Sequence, residues 1–344
     1  MGARRQIAAA AALALALAAC AHTRAASAPA ATVEVQAAAI DLDPNDAARR
    51  RVGKLLFLSG FELRASDRRF GGISGLWVGE RALVAVSDGG YWISAALRHD
   101  RDGRLVELSD WQIERLVAPS GRPVARRLQD AEGLARDVTG SFIVSFEGIH
   151  RLWRYPPPPA AFRAAPVEIP SPRELARAPA NGGIESVAAF PDGRLIVIAE
   201  NLRQADGALA AWIIDGKEFY PLSYLPSAGF TPSDCAFLKN GDLLVLEREL
   251  RLLGSWATRI KRVPRASIIP GARLEGEEIA RLTLPLAVDN FEGLAVYEHP
   301  KAGTLVYLVS DDNYFFLQRT LLLQFRLDEE ETSLPRDRSK SPAD

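Results

Sequence analysis

One short phrase recurs five times between residues 72 and 311, and a chain built from one repeated phrase folds as an array of like units. Each copy puts a Ser or a carboxylate before a pair of small or apolar residues. A turn follows, then an apolar run that closes near Asp or Glu. The copies run from Ile73-Ser74-Gly75-Leu76 to Val86-Ser87-Asp88, and from Ala131-Glu132-Gly133-Leu134 to Val144-Ser145-Phe146-Glu147. They continue from Ile184-Glu185-Ser186-Val187 to Ile198-Ala199-Glu200, and from Ser233-Asp234-Cys235-Ala236 to Leu246-Glu247-Arg248. The last runs from Phe291-Glu292-Gly293-Leu294 to Val309-Ser310-Asp311. The acidic edge repeats along with the apolar core, which directs attention to that edge as the seat of function.

Within each repeat the apolar runs are short, rich in Val, Ile and Leu, and bounded by turn residues. Leu195-Ile196-Val197-Ile198 follows Pro191-Asp192-Gly193, and Leu243-Leu244-Val245-Leu246 follows Lys239-Asn240-Gly241. These are β-hairpins. Two more strand-like stretches follow each hairpin, as at residues 210–214 and 219–222 after Glu200. Four strands per repeat is the content of a β-propeller blade, so the expected fold is all-β, a propeller of five blades. Six are possible if a divergent blade hides in residues 117–130 or 249–285. The last repeat lacks an obvious fourth strand, while Lys54-Leu55-Leu56-Phe57-Leu58 and Phe61-Glu62-Leu63 precede the first repeat without a partner. Joining the two closes the ring and removes its open edges. Residues 156–159 and 170–179 are Pro-rich and predicted as loops, with a short helix at 173–177.

The first 20 residues are expected to be a lipoprotein signal peptide. Arg4 and Arg5 precede an apolar run at 7–19, too short to span a bilayer core of ~30 Å as a lone helix. Leu17-Ala18-Ala19-Cys20 resembles a bacterial lipobox, with Cys20 the lipidated residue and no Asp after it. The expected location is the cell envelope, on the periplasmic face of the outer membrane, with the lipid anchor as the only membrane contact. Residues 21–50 are then a flexible tether, 51–327 the propeller and 328–344 a disordered charged tail. Of two cysteines, Cys20 is committed to lipid, which leaves Cys235 as a buried, inert thiol. With 42 basic against 43 acidic residues, no basic footprint for nucleic acid exists.

In an antiparallel hairpin the start of one strand lies beside the end of the next. If this hairpin is innermost in every blade, nine carboxylates converge on one mouth of the channel: Asp88, Glu132, Glu147, Glu185, Glu200, Asp234, Glu247, Glu292 and Asp311. Clustered anions repel unless protons or cations offset them. Hard oxygen donors without His or Cys favour Ca²⁺ over zinc. A structural use, in which single acids accept backbone N–H groups and lock blades together, competes at each position. Arg248, Arg203, Arg319, His150, Arg68 and Arg69 lie near these edges in sequence, either to recognise an anion or to pair with the acids. Serine chemistry is excluded: Gly72-Ile73-Ser74-Gly75-Leu76 lacks the final Gly of a nucleophile elbow, and of four histidines none is suitably placed. No phosphate loop or dinucleotide fingerprint occurs.

Five ordered motifs carry a resemblance. They are Ala85-Val86-Ser87-Asp88, Asp130-Ala131-Glu132-Gly133-Leu134, Glu185-Ser186-Val187 to Glu200, Ser233-Asp234 to Leu246-Glu247-Arg248, and Phe291-Glu292-Gly293-Leu294 to Ser310-Asp311-Asp312-Asn313. Together they are similar to the phytase-like domain family, over residues 52–327. The resemblance implies an exported propeller with Ca²⁺-dependent phosphoester hydrolysis of esterase type. The acids would bind metal, Glu132 and Glu292 would activate water, and Arg248 and Arg319 would hold the phosphoryl group of a small phosphorylated or anionic substrate. This chain departs from the pattern at Ser74, and its lysines are scattered. A non-catalytic binding propeller and a Ca²⁺-dependent lactonase or carboxylesterase stay open as alternatives.

Overall fold

Each repeat becomes one twisted antiparallel sheet, because runs such as Leu195-Ile196-Val197-Ile198 are buried on both faces and need a sheet packed on either side. A computed structural model describes residues 31–251 and 255–328, and the account below concerns residues from Thr32 onward. Cys20, the signal peptide and residues 329–344 of the expected tail lie outside the described residues. Blade one contains Ile73–Val78, Ala82–Ser87, Tyr91–His99 and Leu105–Arg115. Blade two contains Ala131–Arg136, Phe142–Phe146, Arg151–Tyr155 and Val167–Ile169. Blade three contains Ile184–Ala189, Leu195–Arg203, Leu209–Asp215 and Glu218–Tyr224, extended by the short parallel strand Arg273–Leu274. Blade four contains Thr231–Phe237, Leu243–Leu250, Trp256–Val263 and Glu277–Leu282. Among the described residues the wheel has five blades and no sixth: 117–130 is a connection with one short 3-10 turn, and the described part of 249–285 completes blades three and four.

Blade five takes Phe291–His299, Gly303–Ser310 and Thr320–Leu327 from the end of the chain and Leu55–Ala65 from its beginning. Leu55 pairs with Leu327 and Leu63 with Thr320, so the N-terminal strand closes the ring as expected. The tether expected over 21–50 is corrected in its second half. Val35–Ala39 pairs with Phe61–Ala65 as a further strand of blade five, and Val33 N–H donates to Trp111 O at 3.0 Å. The Ala-rich composition hid a strand whose partner lies beyond a turn.

Apolar clusters fill the interfaces between neighbouring blades. One joins Val84, Val86 and Trp92 of blade one to Phe142, Phe146 and Tyr155 of blade two. Another joins Leu244, Leu246 and Ile260 of blade four to Leu294, Leu308, Phe325 and the closing-strand residues Leu55 and Phe57. Burying a side chain of this size contributes about 1.5–3 kcal/mol, so closure by the N-terminal strand is strongly favoured. The innermost strands abut one another around the channel. The Gly of the repeated phrase makes this possible: a Cβ on Gly133 would lie 2.3 Å from the Glu185 carbonyl oxygen, and one on Gly75 would lie 2.7 Å from Leu134 N.

Candidate functional site

A bulge in every innermost strand aims the acids inward. Pairing slips between Ile73 and Gly75, Ile184 and Ser186, Pro232 and Asp234, and Phe291 and Gly293, with the matching slip in blade two opposite Ser145. The skipped residues are Ser74, Glu185, Ser233 and Glu292, and in blade two Glu132 together with Gly133. A bulge re-aims a side chain that regular alternation would bury in the sheet. Across the hairpin, Asp88, Glu147, Glu200 and Asp311 each donate a backbone N–H to the residue two before the bulge, at Gly72, Asp130, Gly183 and Asn290. In blade four the residue across from Thr231, in that same position, is Arg248.

Seven of the nine expected acids therefore meet at one cavity of about 240 Å³ at the channel mouth: Asp88, Glu132, Glu147, Glu185, Glu200, Glu292 and Asp311. Asp234 and Glu247 do not, and the register explains both. Asp234 takes the place of Gly75, Gly133 and Gly293, not that of the acids, and Glu247 sits one residue short of the rim. Asp234 is fully buried, accepting the N–H of Cys235 at 2.8 Å and that of Leu294 in blade five at 2.7 Å. Glu247 accepts the Tyr224 hydroxyl at 2.7 Å and Ser227 N–H at 3.0 Å, with Lys261 at 3.8 Å. Both lock blades together. The serines in the acid position do likewise: Ser74 donates to Ala131 O at 2.8 Å and Ser233 to Phe291 O at 3.2 Å, each bond reaching the next inner strand.

The cations divide similarly. Arg248 stands in the cavity, ion-paired to Glu292, to Glu200 at 3.3 Å and to Glu185 at 3.4 Å, and bonded to Asn290 Oδ1 at 2.8 Å. Arg319 is not at the mouth. Its guanidinium pairs with Asp289 at 3.4 Å and donates to Val288 O, so the expected phosphoryl-holding role is withdrawn for it. Arg69 pairs with Asp67, and His150 bonds the Pro179 carbonyl. Cys235 is buried, and burial, then Asp234, raises its thiol pKa well above the ordinary value. Sequence reasoning passed over Asp130, Asn181 and Asn313, which also line the cavity. Asp130 was legible, since it lies two residues before Glu132. Asn181 sits in a connection with no repeat to mark it.

Eight carboxylates thus face one guanidinium. Two like charges 4 Å apart cost about 4 kcal/mol at an effective dielectric near 20. Six of the carboxyl groups respond by holding their protons more tightly. Burial, then Glu292 and Asp130, pushes Asp88 up to about 7. Burial pushes Glu147 to about 7 against the amides of Gly183 and Gly182, which donate to it at 2.5 and 2.7 Å. Burial, then neighbouring acids, raises Glu132 and Asp311 well above the carboxylate range. Burial also raises Glu185 and Glu292, with Arg248 opposing it. For Arg248 burial works downward, but Glu292, Glu185 and Glu200 outweigh it and hold the guanidinium pKa above its ordinary value.

Asp130, Glu132 and Glu147 can each offer an oxygen within 4.8 Å of the others', and so can Glu147, Glu185 and Glu200. Asp88 Oδ1 is buried with no hydrogen-bond partner. An all-oxygen donor set around a small cavity with an orphaned carboxylate oxygen fits a hard divalent cation, Ca²⁺ above Zn²⁺.

Comparison with known proteins agrees on the fold. An α-L-arabinofuranosidase from Podospora anserina, solved in complex with cellotriose, is similar over 86% of this chain and 97% of its own, with 8% identity and a TM-score of 0.50. A gluconolactonase candidate matches over 86% and 94% with 12% identity and a TM-score of 0.43. The aldose sugar dehydrogenase of Streptomyces coelicolor, in its PQQ-bound form, matches over 86% and 99% with 14% identity and a TM-score of 0.38. No curated protein matches in sequence. The family described as phytase-like, with the esterase-like activity of phytase, matches residues 68–314, a span that contains all five inner hairpins and all the cavity acids, and the chain belongs to that family.

Proposed function

We propose that this chain is an exported, lipid-anchored hydrolase that cleaves a phosphoester at the acidic mouth with the help of bound Ca²⁺. The observation that carries the reading is the uncompensated triple Asp130, Glu132 and Glu147. These three can converge on one cation, and Arg248 makes no ion pair with any of them. They would hold the ion. When bound, it would supply positive charge to a phosphoryl oxygen and lower the pKa of an adjacent water. The Gly182 and Gly183 amides fix Glu147 in place. Glu132, which a cation beside it would favour in the ionised form, takes the proton of the attacking water as the water oxygen bonds to phosphorus and the P–O ester bond breaks. Asp88, held near neutrality, returns a proton to the departing alkoxide. Arg248 keeps Glu185, Glu200 and Glu292 in position and does not itself reach for substrate.

The test is turnover of 4-nitrophenyl phosphate with calcium and with a chelator, in the wild type and in a Glu132→Gln, Glu292→Gln double variant whose melting is checked. Expected are calcium-dependent release of nitrophenol and its loss in the variant, by about 10²-fold or more. Release that ignores both chelator and variant sinks the proposal. Calcium binding without turnover of any ester would leave a binding propeller, and turnover of a lactone alone a lactonase.

A further inference from the structure

A second cavity lies along the face of blade three, between that face and the connection from blade two. At about 720 Å³ it is three times the size of the acidic one. Its floor is apolar. Trp212 pairs with Pro221, and Phe219 lies two residues along the same strand, so both side chains occupy one face of blade three, beside Leu202. The strand Leu195–Arg203 continues three residues beyond Glu200 and pairs again at Arg203 and Leu209. That extension raises Arg203 above the mouth. The 3-10 turn Arg173–Arg177 comes up on the other side and presents Arg173 and Arg177.

The three arginines face the cavity with a single acid, Glu174, among them, and none of the three forms an ion pair among the described residues. Other arginines are committed to acids, as Arg248 is to three glutamates and Arg69 to Asp67, whereas among these three Arg203 donates only to the Gly207 carbonyl at 3.3 Å. Guanidinium groups over an apolar, aromatic floor suit a ligand with two parts, an oxyanion for the fork and a flat or aliphatic body for the floor. We propose that this cleft binds a small organic anion with an apolar body, a carboxylate or phosphate ester of aryl or acyl type. The site is independent of the acidic mouth and needs no metal.

Isothermal titration in the presence of a chelator tests this with three probes: phenyl phosphate, phenylacetate and uncharged benzyl alcohol. Saturable binding of at least one anion is expected, with benzyl alcohol at least about tenfold weaker, the value of one charge-assisted hydrogen bond. The tighter of the two anions identifies the head group. An Arg173→Gln, Arg177→Gln double variant, both residues being exposed, should weaken binding by about tenfold or more with its melting unchanged, and Arg203→Gln should act likewise. Glu132→Gln should leave it untouched. Equal binding of benzyl alcohol, anion affinity indifferent to the arginines, or no heat with either anion at millimolar concentration would each overturn the proposal.

Discussion

Replacing Arg248 by Met should destabilise the protein strongly at pH 8 and only mildly at pH 5. Arg248 is 16% exposed at its side chain, and its partners Glu185, Glu200 and Glu292 are 6%, 17% and 9% exposed. Removing one member of a buried ion pair costs about 3–5 kcal/mol, because the other charge stays buried without a partner. Here three carboxylates lose a shared partner at once, so the upper end of that range applies in a chelator at pH 8. At about 2 °C per kcal/mol for a chain of this size, melting should fall by about 10 °C. Below neutrality the carboxyl groups escape by taking protons, since burial already raises Glu185 and Glu292 and loss of the opposing guanidinium raises them further. Calcium at a hundred times its Kd would restore about 2.7 kcal/mol if it binds the freed carboxylates. Arg248→Lys keeps the charge and loses the fork, so it should fall between the two. Thermal melts at pH 5 and pH 8, with chelator and with calcium, decide the matter. Equal losses at both pH values, with no effect of calcium, would mean that Arg248 matters by packing near Trp256, 6.0 Å away, and not by charge.

The wild type itself should lose stability with rising pH when no cation is present. Asp88 and Glu147 stay protonated to about 7 when folded but release their protons near 3.8 and 4.5 when unfolded. The folded state therefore binds more protons between those limits, and stability falls as pH climbs from about 4 to 7. A urea midpoint that is flat or rises from pH 5 to 7.5 in chelator contradicts this. Asp234→Ala should behave differently from any mouth variant. It strips two buried N–H groups, of Cys235 and Leu294, of their acceptor at about 1–3 kcal/mol each, yet leaves calcium affinity unchanged. A calcium titration showing weakened binding would return Asp234 to the site.

The fold was legible because its cause is repeated: five turn-bounded apolar hairpins admit few arrangements, and an unpaired strand at each end of the chain nominates its own partner. Most of the mouth was legible for the same reason. The two misplaced acids share one source. Reading blade four by its acids aligns Asp234 and Glu247 with the other copies, a step of thirteen residues. Reading it by spacing aligns Ser233 and Arg248, fifteen apart, as Glu132 is from Glu147 and Glu185 from Glu200. Side-chain direction in a strand reverses with each residue, so a slip of one moves an acid from the cavity into the wall. Spacing was the better guide, because backbone geometry repeats even where side-chain chemistry does not. The Pro-rich connections carry no such metre, and Asn181 could be placed only by the structure.

That one-residue correction changes the electrostatic argument as well as the tally of acids. A ring of nine carboxylates would have no preferred place for a cation. With Ser74 and Ser233 in the acid position and Arg248 on the rim, the negative charge is lopsided. Blade four supplies a permanent cation that reaches Glu185 and Glu200 of blade three on one side and Glu292 of blade five on the other. Blade two holds Asp130, Glu132 and Glu147 beyond the ion pairs of Arg248. Any cation entering the mouth gains most where the guanidinium does not already compensate, and that is at blade two. Glu147 belongs to both converging triples, one within blade two and one shared with blade three, and two backbone amides already fix it there. An ion drawn to the blade-two acids would therefore find one ligand held in place before it arrives, which lowers the ordering cost of binding at that point and not elsewhere on the rim.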